Sequence, residues 1–176
     1  FRFYSKEDDK KKVISTSTIS LFWSTIGFLV LFLLFRKDLA LWSKINVEYI
    51  VFTIWILALD ALAIIPFSKI RAEGRPVKYA VIKISNVVIN LSLNIFFLAF
   101  LPNWATNTDN VFIQTIYHED FQIGYIFVSN LIASLFTLLF VLPDYFKIKW
   151  QFDADLWKKM MQYGLPILVA GIAFAI

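Results

Sequence analysis

Residues Tyr49–Leu101 read YIVFTIWILALDALAIIPFSKIRAEGRPVKYAVIKISNVVINLSLNIFFLAFL. Two long apolar runs are joined by a basic turn, Lys69-Ile70-Arg71-Ala72-Glu73-Gly74-Arg75-Pro76-Val77-Lys78. At about 20 residues or more, each run is long enough to cross a bilayer core as a helix. The first run holds one carboxylate, Asp60, deep among apolar residues. The second carries Lys83, Asn86, Asn90 and Asn94 at steps of three, four and four, which places them on one helix face. An Asp at the centre of a span costs roughly 3 kcal/mol on insertion scales, so such groups face a protein interior or a wet cavity. The hairpin therefore predicts an all-α, polytopic membrane protein with antiparallel spans and a polar interior.

Composition agrees. Of 176 residues, 59% are hydrophobic, with 19 Phe and 6 Trp, and only 17% are charged. Soluble domains carry roughly 25% charge, and one of this size has no means of hiding so much apolar surface. The chain has no Cys, which excludes disulfides, cysteine zinc sites and thiol catalysis. The net charge of +4 is read as membrane topology, not as a nucleic-acid footprint. The chain starts at Phe1 and stops inside the apolar run Leu165–Ile176, so it is expected to be a piece of a longer protein without an intact signal peptide at its first residues.

Working outward, spans are expected over Val13–Phe35, Tyr49–Ser68, Val77–Leu101 and Ile123–Leu142, with a fifth beginning at Leu156 and cut at Ile176. None of these runs alternates, which argues against membrane strands. Thirteen of the 17 basic residues lie before the first span, between the second and third, or after the fourth. Only Arg36, Lys37 and Lys44 fall on the other side, and Lys83 lies within a span. The positive-inside rule then makes the Phe1 side cytoplasmic. Pro102–Gln122 reads as a polar outer loop without regular structure. Pro143–Asp155 reads as a cytoplasmic linker whose Trp150 and lysines suit a short interfacial helix.

Each polar feature has a bland alternative. Ser17, Ser20, Ser24 and Gly27 form a small-residue face for close helix packing. Asp60 is either a structural pair between helices or a cation or proton site, with Lys83 on the neighbouring helix as a reachable partner or a snorkelling side chain. Pro66 frees the carbonyl of Leu62 and favours a kink. The asparagine stripe, about 16 Å long, is interhelical glue or cavity lining; both stay open, because an amide donates and accepts. Asn130, Ser134 and Thr137 form a weaker stripe facing the same interior. Gly164-Leu165-Pro166 predicts a broken or bent start to the last span. His118-Glu119-Asp120 is a solvated loop, since adjacent residues do not converge on one substrate. No G-x-x-x-x-G-K loop or H-E-x-x-H pair occurs, and no catalytic, metal or cofactor residues are assigned.

The run Ala63-Ile64-Ile65-Pro66-Phe67-Ser68-Lys69-Ile70-Arg71-Ala72-Glu73-Gly74-Arg75, followed by Tyr79-Ala80 and the asparagine stripe, resembles a segment of a known family. That family is the polysaccharide and lipid-linked oligosaccharide flippases of the multidrug/oligosaccharidyl-lipid/polysaccharide exporter superfamily, which also holds the MATE-like transporters. Phe1-Arg2-Phe3-Tyr4 resembles the loop before its third span, and Tyr163-Gly164-Leu165-Pro166 the start of its seventh. The resemblance implies two helical lobes around a cavity that opens alternately to each side. Residues 1–142 would belong to the first lobe, 143–155 to the linker and 156–176 to the start of the second. It implies flipping of a polyprenyl-diphosphate-linked oligosaccharide, as in lipopolysaccharide O-antigen or other polysaccharide biosynthesis, across a bacterial inner membrane. Partners would be the lipid-linked glycan, membrane lipid, glycan assembly proteins and possible coupling to H+ or Na+, with no nucleic acid. Asp60, Lys83, Asn86, Asn90, Asn94 and Asn130 would line the cavity; Lys69, Arg71 and Arg75 would be inner-mouth cations; and Pro66, Gly164 and Pro166 would be hinges. The alternatives are a cation-coupled multidrug antiporter of the same superfamily, or a membrane-embedded glycan polymerase or ligase.

Overall fold

In hydrocarbon every backbone polar group must be satisfied within its own segment, so long apolar runs become helices. The computed structural model describes residues 3, 10–107, 113, 117–146, 148 and 150–175. The helices are α1 (Lys10–Leu34), α2 (Arg36–Ser43), α3 (Val47–Ala72), α4 (Pro76–Ile95), α5 (Leu101–Asn107), α6 (Gln122–Tyr145) and α7 (Ala154–Ala175). A π turn at Phe96–Phe100 joins α4 to α5, and a 3-10 turn at Glu119–Phe121 leads into α6. No strand occurs among the described residues. Lys10–Leu34, Val47–Ala72, Pro76–Thr106 and Gln122–Tyr145 are long and apolar enough to cross a membrane. The chain is an all-α polytopic membrane protein.

Several sequence boundaries move, each for a physical reason. The third span does not end at Leu101 but continues into α5. Pro102 has no N–H to offer the carbonyl of residue 98. The π turn absorbs this, with the Leu101 N–H bonded to the Phe96 carbonyl five residues back. Part of the expected loop Pro102–Gln122 is therefore helix, while 108–112 and 114–116 lie outside the described residues. α6 runs through Pro143 to Tyr145, so the linker starts at Phe146. Its described residues contain no interfacial helix. α2 was not expected; it is short and leaves Leu41 and Trp42 largely exposed. The fifth run forms α7, whose first turns carry Asp155, Lys158 and Lys159 and whose described residues are less apolar than the four spans.

The helices pack in the order α1, α3, α6, α4, with α6 between α3 and α4. At the end that holds the basic turn, called the basic end below, Ala63, Phe67 and Ile70 of α3 meet Ile82 of α4 and Val141 of α6. At the other end Tyr49 and Phe52 stack on Phe127, and Phe97 stacks on Tyr125.

The hairpin between α3 and α4 is a well-formed helix stop. Gly74 has φ +68°, its N–H bonds the Arg71 carbonyl, and the Arg75 N–H bonds the Ile70 carbonyl. This is a Schellman end, which wants glycine at the left-handed position. Pro76 then opens α4 at its first turn, where a missing N–H costs nothing. Gly74→Ala is expected to lower stability by about 1 kcal/mol, the left-handed penalty of a side chain. A matching fall in the denaturation midpoint in mild detergent checks it.

Candidate functional site

The polar residues of three spans meet along α6. Small side chains on α6 let its neighbours approach: Ser129, Ala133, Ser134 and Thr137 are all buried. Thr137 Oγ1 donates to the Ala133 carbonyl in its own helix (2.9 Å) and accepts from Asn86 Nδ2 of α4 (2.8 Å). One turn further along, Asn90 Nδ2 donates to Asn130 Oδ1 (3.2 Å), and Asn94 Nδ2 donates to Asn90 Oδ1 (2.5 Å). Asn94 Oδ1 is buried and has no partner among the described residues. On the α3 side Ser134 Oγ donates to Asp60 Oδ1 (2.8 Å). Asn130 and Thr137 thus meet the asparagine stripe of α4, while Ser134 of the same stripe turns to α3. The Asn86–Thr137, Asn90–Asn130 and Asp60–Ser134 bonds are interhelical, as glue would be, whereas Asn94 bonds only Asn90 of its own helix among the described residues.

Asp60 and Lys83 do not pair. Asp60 is exposed and, among the described residues, accepts a hydrogen bond from Ser134 of α6. Lys83 lies over the Phe67 ring, with Nζ 4.9 Å from its centroid. Phe67 and Tyr79 meet edge to face at 5.3 Å, and the Arg71 guanidinium lies 5.2 Å from the centre of Tyr79. Each cation therefore crosses the hairpin to the ring on the opposite helix, an attraction of about 0.5–1 kcal/mol at exposed sites. Of the other hairpin cations, Lys69 and Arg75 share the single Glu73 carboxylate, at 3.9 and 3.5 Å, and Lys78 pairs with Asp144. Among the described residues no carboxylate pairs with Arg71 or Lys83.

Two contacts at the basic end were missed in the sequence. Lys78 Nζ lies 2.7 Å from Asp144 Oδ2, joining α4 to the last turn of α6, and the Asp144 side chain is only 9% exposed. In the sequence Lys78 stands only as one of the basic residues that set topology. Tyr145 Oη donates a short hydrogen bond to the Leu62 carbonyl. That carbonyl is the one Pro66 leaves without its helical N–H. α3 is unbroken through the buried Pro66, because a neighbouring side chain supplies the lost donor.

The small-residue face of α1 packs on another helix only in part: Ser17 Oγ lies 3.6 Å from Met160 Sδ of α7. A Cβ at Gly27 would meet nothing within 4 Å, and Ser24 bonds its own Leu21 carbonyl. The polar face instead grips the linker and α7. Ser15 Oγ donates to the Gln151 carbonyl and accepts from the Gln151 N–H, both at 2.7 Å. Thr16 Oγ1 accepts from the Asp153 N–H, Ser20 Oγ accepts from Trp157 Nε1, and Lys12 pairs with Asp153 at 3.2 Å. Asp153 also caps α7 by accepting the Leu156 N–H (3.0 Å). The Leu156 N–H first, and then Lys12, hold the Asp153 carboxyl below the usual carboxylate range. A depressed folded pKa adds stability above the unfolded pKa, and that stability is lost as pH falls through the folded value. Proteolysis at Lys158 and Lys159 should therefore be slow at neutral pH and speed up only below the usual carboxylate range; Asp153→Asn should remove that pH dependence.

The remaining candidates fall away from the seam. Gly164 and Pro166 sit exposed in α7, which is continuous from Ala154 to Ala175, so the expected break at its start is absent. Pro166 falls in a helix whose flank is open, and a Cβ at Gly164 would meet nothing within 4 Å. His118 is exposed and its N–H bonds Tyr125 Oη (2.8 Å); the side chain of Glu119 lies outside the described residues. Arg2, Lys6, Lys147 and Lys149, part of the topology count, also lie outside them, as does most of Phe1–Tyr4. Among the described residues no three His, Asp or Glu side chains converge as metal ligands. Compared with known proteins, the chain matches no family model, no curated protein and no solved structure.

Proposed function

We propose that the chain is part of a transporter that flips a polyprenyl-diphosphate-linked oligosaccharide across a bacterial inner membrane by alternating access. The observation that carries the reading is the sorting of the hairpin. Arg71 and Lys83, the two hairpin cations without a carboxylate, rest on an aromatic pair at the basic end, and the amides follow further along α4. With the basic end cytoplasmic, a diphosphate meets the cations first and a sugar chain meets the amides beyond them. Each bridging asparagine spends only part of its hydrogen-bonding capacity on α6, since an amide carries two donor hydrogens and an acceptor oxygen. The resemblance around Pro66–Arg75 supports the same substrate class.

Asp60 favours a second reading, a cation-coupled antiporter of the same superfamily. It is exposed, and only its Oδ1 is engaged, by Ser134. A carboxylate so placed can exchange a proton or Na+ with a wet cavity. The two readings part on substrate. The test is complementation of a strain deleted for the gene encoding this chain. Under the flippase reading, deletion abolishes surface display of the glycan. Arg71→Ala with Lys83→Ala lowers it about tenfold or more, since each charge-assisted contact to a phosphate contributes about 1.5–3 kcal/mol. Full glycan display in the double variant overturns the assignment of these cations, and full display in the deletion strain overturns the substrate.

A further inference from the structure

At the basic end a cleft of about 150 Å³ parts α1 from α3. Ser68 and Lys69 of α3 and Ser17 of α1 give it a polar lining, and Ile14 and Ile65 give it apolar walls. Ile65, Ser68, Lys69 and Ala72 follow the three- and four-residue steps of one helix face. Lys10 stands one turn before Ile14 on the matching face of α1. With its 26 residues, α3 is about 39 Å long and outreaches a hydrocarbon core of about 30 Å by nearly a turn at each end. Lys69 sits in the last turn of α3, so the cleft opens at the headgroup boundary.

The polar lining is unspent. The Lys69 side chain is only 15% exposed, and among the described residues its ammonium makes no hydrogen bond. Glu73 lies 3.9 Å away and is shared with Arg75. Ser68 Oγ makes no hydrogen bond among the described residues either, and Ser17 Oγ has only the long contact to Met160 Sδ. An ammonium carries three donors, and leaving them unmet in a nearly buried place is costly. Arg71 leaves α3 on the opposite side, toward Tyr79 of α4, so the cleft is distinct from the cations that rest on the hairpin rings. An anion with several acceptor oxygens would complete this lining. The size suits one, since a cavity of about this volume accepts benzene and so has room for a phosphate group.

We propose that the cleft binds the phosphate of an anionic membrane phospholipid, with Lys69 and Ser68 donating to its oxygens. Basic pockets between spans at the headgroup level recognise such lipids. A zwitterionic lipid brings the same phosphate together with an ammonium that Lys69 and Lys10 repel. The assignment rests on the chain being membrane-embedded and is independent of what it transports.

The test is native mass spectrometry of the purified chain in detergent, titrated with phosphatidylglycerol or phosphatidylcholine. One phosphatidylglycerol should bind about tenfold more tightly than phosphatidylcholine, and Lys69→Met should remove that advantage, as loss of one charge-assisted contact predicts. Lys37→Met, which removes an equal charge at the opposite end of the spans, should leave it unchanged. Ser68→Ala should weaken binding about two- to tenfold. Glu73→Gln removes the carboxylate that competes for Lys69 and should strengthen binding about two- to fivefold, a gain that a misfolded variant does not give. All variants are checked for unchanged helicity. Equal binding of the two lipids overturns the proposal in favour of general lipid adhesion. Equal weakening by Lys69→Met and Lys37→Met overturns it in favour of diffuse charge attraction, and undiminished binding in Lys69→Met overturns it as well. Inorganic phosphate is the last arm: displacement of the lipid by an equimolar amount overturns the lipid as the source of the phosphate, and retention of the lipid supports it.

Discussion

Lys78→Met is expected to destabilise the packing of α4 on α6 by about 2–3 kcal/mol. Removing one member of a buried pair leaves the other charge stranded, at about 3–5 kcal/mol when burial is complete. Asp144 is nearly buried, but the Lys78 side chain is 39% exposed, so the loss falls at or below the bottom of that range. The double variant Lys78→Met, Asp144→Leu removes both charges and should regain most of the loss, because replacing a buried pair by apolar groups is close to neutral. Unfolding titrations in mixed detergent micelles, followed by circular dichroism, measure all three. Additive losses in the double variant would show that the 2.7 Å contact does not couple the two helices.

Tyr145→Phe should cost about 1–3 kcal/mol, since it leaves the Leu62 carbonyl, already deprived of its helical donor, without a partner. The decisive comparison is with Pro66→Ala. An alanine at 66 restores the N–H that the Leu62 carbonyl lacks. In the Tyr145→Phe background it should recover most of the stability, although on its own it gives little or costs a few tenths of a kcal/mol through lost packing of the buried ring. The coupling in this cycle should fall in the range of about 0.5–3 kcal/mol seen for groups that share one bond. If Pro66→Ala fails to rescue, the hydroxyl serves packing and not the proline gap. The same pair also bears on the idea that Pro66 is a hinge. A proline whose freed carbonyl is held by another helix is braced, and Tyr145→Phe is the substitution that would let it bend.

The apolar runs of the hairpin and the two polar stripes were legible because period and length are local properties. Asn86, Asn90 and Asn94 announce a face, and so do Asn130, Ser134 and Thr137. What periodicity does not specify is which helix a face meets. Lys83 on the adjacent span was therefore only one reachable partner for Asp60, which instead meets Ser134, 74 residues away. The grip of α1 on the linker was illegible for a related reason. Ser15 and Thr16 bind backbone groups 136 and 137 residues distant, and a backbone N–H or carbonyl leaves no mark on the residue type that carries it. The helix from Pro102 to Asn107, beyond Leu101, was hidden by Pro102, which ends most helices and here only widens one turn. The division of the hairpin cations stood partly in view: Lys69 and Glu73 are four apart, a spacing that pairs on a helix. That Arg71 and Lys83 cross to opposite rings needed the packed hairpin.

Because α6 supplies the partners of both its neighbours, the order of synthesis leaves those neighbours waiting. α3 and α4 leave the ribosome carrying Asp60, Asn86 and Asn90, none of which has a partner in the other helix of the hairpin. Asn90 waits 40 residues for Asn130, and Asp60 waits 74 for Ser134. At about 5–20 residues per second the longer wait is roughly 4–15 s. Over that interval Asp60 and Asn86 lack their bonded partners and Asn90 has only Asn94 of its own helix, and hydrocarbon offers none. The hairpin therefore has to be sheltered at a wet or proteinaceous site until the later helix arrives, and its release into lipid is timed by the making of α6.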